Sequence, residues 1–231
     1  MFSWNRFFEI FPKIIVKFPV TLQIVLVTYL IAILLGSVLA IVRIKKIPVI
    51  NQVVSLLISY VRCTPVISQL FVVYFGVPMI VTALGINSKA IDNLVYVYIA
   101  FGINTGCFLA EIIRSAIQAV PFGQTEAGRS IGLTNFQTFT VIIVPQAVHI
   151  ALPMLGTSFV LLFKATALAY MVGVMDMIGK VKSLGAVSGH TLEGYLACAL
   201  VFAIISLSME QVFNLINKQM SFGKLRKAVR K

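Results

Sequence analysis

Arg62, Glu111 and Lys164 each interrupt an apolar run long enough to cross a bilayer. A charge in hydrocarbon is costly, so each is a candidate for handling a polar solute, with a structural ion pair as the competing reading. The residues around them support the first reading. Ser55, Ser59, Arg62 and Gln69 stand at offsets 0, 4, 7 and 14, which places them on one helical face that must look into a bundle. Asn104 and Glu111 share a face seven residues apart, as do Thr157 and Lys164. Pro65 cannot donate a hydrogen bond and leaves the Val61 carbonyl free at mid-span, as in the broken helices near transporter sites. Arg62 can hold a carboxylate and Glu111 an ammonium group. Alternatively, Glu111 pairs with Arg114, Arg62 or Lys164 and only fixes the bundle.

Bond-breaking chemistry has no comparable support. Cys63, Cys107 and Cys198 are dispersed in apolar stretches and read as small core residues. His149 and His190 lack carboxylate or thiolate partners at ligand spacing and read as interfacial, with no metal. Gly179-Lys180-Val181 and Gly223-Lys224-Leu225 lack the Ser or Thr and the upstream glycines of a phosphate loop, so ATP must be hydrolysed by another chain.

The elements that position these residues are membrane helices. Of 231 residues, 59% are hydrophobic and 11% charged, and the mean hydropathy is +1.00. The net charge of +12 does not point to nucleic acid, because the basic residues lie mostly between and after apolar runs. Spans are expected over 21–42, 51–83 (ending at the breakers Gly76 and Pro78), 94–113, 150–175 and 194–215. With five spans, eleven Lys and Arg residues fall on one side and six on the other. The positive-inside rule then puts the N-terminus outside and the C-terminus in the cytoplasm. Residues 1–20 carry charges without a continuous apolar core, so they read as an external interfacial helix rather than a cleavable signal, with Trp4 and the early phenylalanines on the lipid side.

Between the third and fourth spans, about 115–149, lies a segment too polar to cross. Pro121 opens a short helix and Gly132 closes it in the left-handed conformation. Thr134 and Gln137 form a capping box that starts a second helix, which Pro145 interrupts. Ile131, Leu133, Phe136 and Phe139 are placed to pack between the two. An ordinary loop would explain the polarity but not two capped helices, so a docking role is favoured.

These residues carry a resemblance. Glu126-Ala127-Gly128, three residues, Gly132, nine residues and Ile142-Ile143-Val144-Pro145 resemble the E-A-A-x3-G-x9-I-x-L-P loop of ABC-importer permeases, with Gly128 and Val144 as departures. Arg62-Cys63-Thr64-Pro65, Gln69-Leu70-Phe71 and Tyr74-Phe75-Gly76-Val77-Pro78 are similar to R-G-T-P, Q-L-F and Y-F-G-L-P of polar amino-acid importers. Ala110-Glu111-Ile112-Ile113-Arg114 and Pro121-Phe122-Gly123-Gln124 resemble A-E-I-x-R and P-x-G-Q. The run from Leu162 to Leu168 resembles L-L-K-D-T-S-L, and Cys63, Ala165 and Ala167 depart from the patterns.

The resemblance implies an all-α membrane protein with the type I ABC importer fold: five transmembrane helices over 21–217, short coupling helices and a basic cytoplasmic tail, 218–231. It implies ATPase coupling through Glu126, Ala127, Gly128, Gly132 and Pro145, while the polar and charged residues within the spans mark the expected substrate pathway: Arg62, Thr64, Gln69, Asn104, Glu111, Thr157 and Lys164. It also implies a bacterial cytoplasmic membrane location, an ABC ATPase subunit holding ATP and Mg, an extracytoplasmic solute-binding protein and a second permease subunit. The chain itself is then neither an enzyme nor the holder of a cofactor. Ile47-Pro48-Val49-Ile50-Asn51-Gln52 and Gly173-Val174-Met175-Asp176-Met177 resemble the cystine branch. A self-powered carrier or channel is the alternative, disfavoured because five spans are few for inverted repeats and no repeat is evident. A membrane scaffold would leave Arg62 and Lys164 without a purpose.

Overall fold

The computed structural model describes residues 2–88 and 91–228, with side chains through Gln219. Met1, Lys89, Ala90 and residues 229–231 lie outside the described residues, and with them the charges of Lys89, Arg230 and Lys231 counted for topology. Among the described residues ten α-helices follow in order: α1 (Trp4–Ile15), α2 (Phe18–Lys45), α3 (Ile50–Cys63), α4 (Val66–Ala83), α5 (Asn93–Gln118), α6 (Gly123–Ser130), α7 (Asn135–Gln137), α8 (Val144–Ala165), α9 (Met177–Ser188) and α10 (Thr191–Ala228). A π-helical turn, Thr138–Ile143, joins α7 to α8, and a 3₁₀ turn, Thr166–Val172, extends α8.

Among the described residues five helical stretches are long and apolar enough to cross a membrane: Phe18–Lys45, Val66–Ala83, Asn93–Gln118, Asn135–Val172 and Thr191–Gln219. The number agrees with the sequence reading, but the second span differs. The chain leaves the helix at Thr64 (ψ 144°) and Pro65 (ψ 136°), both extended, so α3 is a separate short helix and the span proper begins at Val66. The residue before a proline is pushed out of the α region, and here that preference wins. The expected single face from Ser55 to Gln69 is therefore broken. On α3 the buried face is Val54, Ile58 and Val61, while Ser59 and Arg62 are exposed on this subunit.

Gly76 and Pro78 do not end α4, which runs on to Ala83. The stop is Gly85 at φ +78°, where the Gly85 and Ile86 amides bond back to the Thr82 and Val81 carbonyls at 3.0 and 3.1 Å.

The main core lies where α1, α2, α5, α8, α9 and α10 meet, around Ile14, Ile24, Phe101, Phe163 and Met177. α1 is amphipathic: Trp4 and Phe8 face outward, but Phe7, Ile10 and Ile14 are buried against the bundle. Phe7 is thus a core residue rather than a lipid-facing one, because the helix has α9 and α10 to pack on. Ser3 N donates to Glu193 Oε1 at 2.9 Å, tying α1 to the start of α10. On the outer face Glu9 takes hydrogen bonds from Lys13 and Arg6, which hold its carboxyl below the usual range. Glu193 also lies 2.9 Å from His190 Nδ1, so His190 does have a carboxylate neighbour, three residues on. Cys107 and Cys198 are buried, whereas Cys63 is exposed at the helix break and is not a core residue. α10 carries the described part of the basic tail as a continuous helix to Ala228.

Helices in lipid associate by close packing rather than by a hydrophobic drive, so small residues mark the tight seams. The α2–α5 pair shows this. A Cβ on Gly36 would stand 2.9 Å from both Gly106 O and Leu109 Cβ, and Gly102 and Gly106 lie against Ile31 and Leu35. Neither backbone can yield without separating the helices. Gly36→Leu should therefore cost about 1–3 kcal/mol, measured as a lower unfolding midpoint of the detergent-solubilised protein. Gly76→Leu, where a Cβ would meet nothing within 4 Å, should leave the midpoint nearly unchanged.

Candidate functional site

The break between α3 and α4 strips the last carbonyls of α3 of their helical partners. The Val61 and Thr64 carbonyls at the break find a side-chain donor. Gln69, buried in the first turn of α4, reaches back with Nε2 to Val61 O at 2.8 Å, Thr64 O at 3.1 Å and Thr64 Oγ1 at 2.8 Å. Its Oε1 accepts from Asn104 Nδ2 of α5 at 3.0 Å. The expected open carbonyl of Val61 is thus capped, and Gln69 faces the break instead of an open pathway.

Beside this hinge a cleft of about 450 Å³ lies between the α3–α4 break, α5 and α8. Its polar lining is Thr64, Asn104, Thr105, Thr157 and Ser158, and its apolar lining includes Phe101, Phe108 and Met154. Three of the seven expected pathway residues, Thr64, Asn104 and Thr157, come together there. Gln69 supports the wall through Asn104.

The three charges do not converge. Glu111 is claimed by arginines: Arg114 donates to its Oε2 from Nε at 3.0 Å and Nη2 at 2.6 Å, and Arg43 Nε lies 3.5 Å from Oε1. Arg43 sits near the end of α2, so the cluster joins α2 to α5. The pairing with Arg114 was one of the open alternatives; Arg43 was not, because its position after the first span made it look like a topology-setting charge. Arg62 is exposed, with its guanidinium 5.7 Å from the centroid of Phe108, which lines the cleft. This puts the cation at the rim of the cleft rather than within it. Lys164 is exposed on α8 outside the lining. Phe108, Thr105 and Ser158 were missed; Phe108 stands one turn after Asn104, a spacing that could have shown it.

The other expected site is at the far end of α5 and α8. α6 ends in a glycine cap: Leu133 N bonds to Gly128 O at 3.1 Å, Gly132 N to Arg129 O at 3.0 Å, and Gly132 has φ +86°. That is the 6→1, 5→2 pair of a Schellman motif. Pro121 lies just before α6, whose N-cap is Phe122, and its carbonyl accepts from Gln124 N at 3.0 Å. The Thr134–Gln137 capping box forms in both directions, at 2.9 and 3.3 Å.

Pro145, however, does not interrupt the second helix. The preceding turn widens to π geometry, with Val144 N bonding to Phe139 O, and the helix continues into α8. The wider turn accommodates the missing N–H and the ring of Pro145. The second expected short helix is therefore the start of a span. Nor do the apolar residues all pack between the helices: Ile131 and Phe136 are each 75% exposed and Phe122 69%. They form an apolar knuckle around α6, flanked by the exposed Glu126 and Ala127.

Gly128 holds this knuckle in place. It is buried, and a Cβ there would lie 2.7 Å from Thr138 Cγ2 and 3.0 Å from Ile142 Cδ1 in the π turn. Thr138 is 1% exposed and β-branched, so it has little room to move. Gly128→Val should weaken the seating of α6 by about 1–3 kcal/mol, seen as faster hydrogen exchange over 123–133 with α5 unaffected. Gly132 has nothing within 4 Å of a Cβ, so a substitution there acts through its backbone conformation and its outer surface.

Residues 32–222 match the family described as the binding-protein-dependent transport system inner membrane component. The L-cystine transport system permease protein TcyL of Bacillus subtilis (strain 168) is 35% identical over 225 residues, 97% of this chain and 94% of that protein. The probable amino-acid permease protein YxeN of the same organism is 34% identical over 95% of this chain and 96% of its own. A solved amino acid ABC transporter with histidines superposes with a TM-score of 0.83 at 28% identity, over 95% of this chain and 99% of that one. The chain belongs to the family of inner membrane components of binding-protein-dependent transport systems.

Proposed function

We propose that this chain is the permease subunit of an ABC importer that brings a polar L-amino acid, cystine first among them, across the bacterial cytoplasmic membrane. ATP is hydrolysed by a separate subunit, to which the expected ATP and Mg are assigned. The observation that carries the reading is the pairing of a mostly apolar cleft bearing a few convergent polar side chains, Thr64, Asn104, Thr105, Thr157 and Ser158, with an exposed apolar knuckle at one end. The cleft suits a small polar cargo. The knuckle suits a partner protein, since none of the described residues covers it. Cystine ranks first because of the resemblance in Ile47–Gln52 and Gly173–Met177 and the likeness to an L-cystine permease.

In the orientation that the positive-inside rule favours, α1, α9 and the end of α4 lie outside and α6 with the end of α10 inside, so that α6 faces the ATPase. An extracytoplasmic binding protein delivers the cargo, and a second permease copy or a related chain completes the pathway. The exposed Ser59 and Arg62 face of α3 then looks toward that pathway, and Arg62 takes the cargo carboxylate at the rim. Glu111, held by Arg43 and Arg114, fixes the inner ends of α2 and α5 rather than meeting cargo.

Proteoliposomes holding the assembled transporter and loaded with ATP should accumulate labelled L-cystine when binding protein is supplied, and uptake should stop without the ATPase subunit. Uptake that persists without it would favour a self-powered carrier. Arg62→Ala should lower uptake about tenfold or more, as expected for loss of a charged hydrogen bond, with assembly intact; failure to assemble would make Arg62 a structural residue. Gly132→Asp puts a side chain and a charge on the knuckle at φ +86°, so ATPase activity should lose its response to loaded binding protein while the subunit inserts normally.

Orientation has its own check. In a Cys63→Ser background, cysteines at Ser88 and Ser183 should react with an impermeant thiol reagent on intact cells, and one at Lys224 only after permeabilisation. The opposite pattern would invert the topology.

A further inference from the structure

We propose that Gln69 is a positioning residue: it fixes which end of the Asn104 amide faces the cleft, so that the cleft offers a carbonyl oxygen to the ammonium group of an α-amino acid. This rests on reading the cleft as the cargo path.

An amide side chain has a donor end and an acceptor end, and its surroundings decide which points where. At the break, Gln69 Nε2 lies within 3.1 Å of the Val61 carbonyl, the Thr64 carbonyl and Thr64 Oγ1. The carbonyls can only accept. Thr64 Oγ1 spends its proton on Tyr60 O at 2.9 Å and is left as an acceptor too. Only the NH₂ end of Gln69 fits there. Its Oε1 must then point at α5, where it takes a proton from Asn104 Nδ2 at 3.0 Å. With its NH₂ held by Gln69, Asn104 turns Oδ1 away, and among the described residues no hydrogen bond holds that oxygen. Asn104 lines the cleft.

The polarity imposed at the α3–α4 break is thus passed through two amides to the cleft wall. A carbonyl oxygen there accepts from an ammonium group and repels a carboxylate. One turn further along α5, Phe108 lines the same cleft and carries the Arg62 guanidinium 5.7 Å from its ring centroid. An acceptor on Asn104 and a cation held against Phe108, the residue one turn along α5, suit the two ends of a zwitterionic amino acid. Glu111, the acid that sequence alone put forward for the ammonium, is outside this lining and already bonded to Arg114.

Saturation-transfer NMR on the purified permease–ATPase complex, without binding protein, reads weak binding directly. The probes are L-cystine, L-glutamine and L-histidine, each set against its deamino analogue: 3,3′-dithiodipropionate, glutaramate and imidazolepropionate. The unsubstituted complex should favour the amino acid of at least one pair by about tenfold, the worth of a hydrogen bond to a charged group. Gln69→Met and Asn104→Leu should each erase that preference. Asn104→Asp, whose protonated oxygen can donate to Gln69 Oε1 and leave its carbonyl oxygen to the cleft, should keep it, and the double variant Gln69→Met/Asn104→Asp should regain it.

A purely structural Gln69 would lower the yield of complex, or binding of both pair members alike, and leave the ratio untouched; that result overturns the proposal. If Gln69→Met fails to assemble, the Asn104 variants decide: loss of preference in Asn104→Leu with retention in Asn104→Asp supports the proposal, and loss in both overturns it. Loss in Asn104→Leu with retention in Gln69→Met also overturns it, while the cleft remains the cargo path. Retention in Asn104→Leu, or no preference in the unsubstituted complex, removes both the proposal and the reading of the cleft.

Discussion

A buried backbone carbonyl that loses its helical partner is costly, so a helix that breaks where the chain is packed must bring other donors. At the break the Tyr60 carbonyl is met by the Thr64 hydroxyl, and the Val61 and Thr64 carbonyls by Gln69. Gln69 closes on Val61 and Thr64 from the first turn of α4 and is itself held by Asn104 of α5. The consequences spread in three directions. α3 can leave the line of α4 and expose Arg62 and Ser59. The cleft beside the break gains a polar wall without a buried charge. The hinge and the cleft become parts of one hydrogen-bonded unit.

Much of the architecture was legible in the sequence because the membrane imposes strict rules on it. Five apolar stretches, a glycine cap at Gly132 and a capping box at Thr134–Gln137 are local patterns with local causes, and each appears in the structure. The relatives and the family match agree with the permease reading those motifs gave. Where the reading departed from the structure, the cause was packing or competition between neighbours. Gly76 and Pro78 read as breakers, yet α4 tolerates both and stops at Gly85, which takes the left-handed conformation. Pro145 likewise read as an interruption, because periodicity does not show that the turn before it can widen.

The site residues were harder to place because helical periodicity assumes an unbroken helix. Spacing put Ser55, Ser59, Arg62 and Gln69 on one face, but the break lies between Arg62 and Gln69 and sends them to opposite tasks. Side-chain pairing was also partly hidden. Arg114, three residues from Glu111, was within reach of a sequence argument, while Arg43 came from another helix and only the fold brings it near. A carboxylate shared by two guanidiniums is well placed to fix α2 against α5 and poorly placed to receive cargo.

The two ends of the molecule use glycine for different physical ends. At Gly36, Gly106 and Gly128 the missing side chain allows close approach, and the elements on either side are locked together. At Gly132 nothing is near, and what matters is the left-handed backbone that turns the chain out of α6 and into the capping box. Between Gly128 and Gly132 the helix is therefore pinned on one side and sharply terminated on the other. A short helix of eight residues has little stability of its own. Held in this way it can still present Phe122, Ile131 and Phe136 as a fixed surface and transmit a push on that surface to the π turn and α8. Because the same helical stretch, Asn135–Val172, packs on α6 at its start and supplies Thr157 and Ser158 to the cleft, α6 and the cleft are joined by one continuous element rather than by a chain of loose contacts.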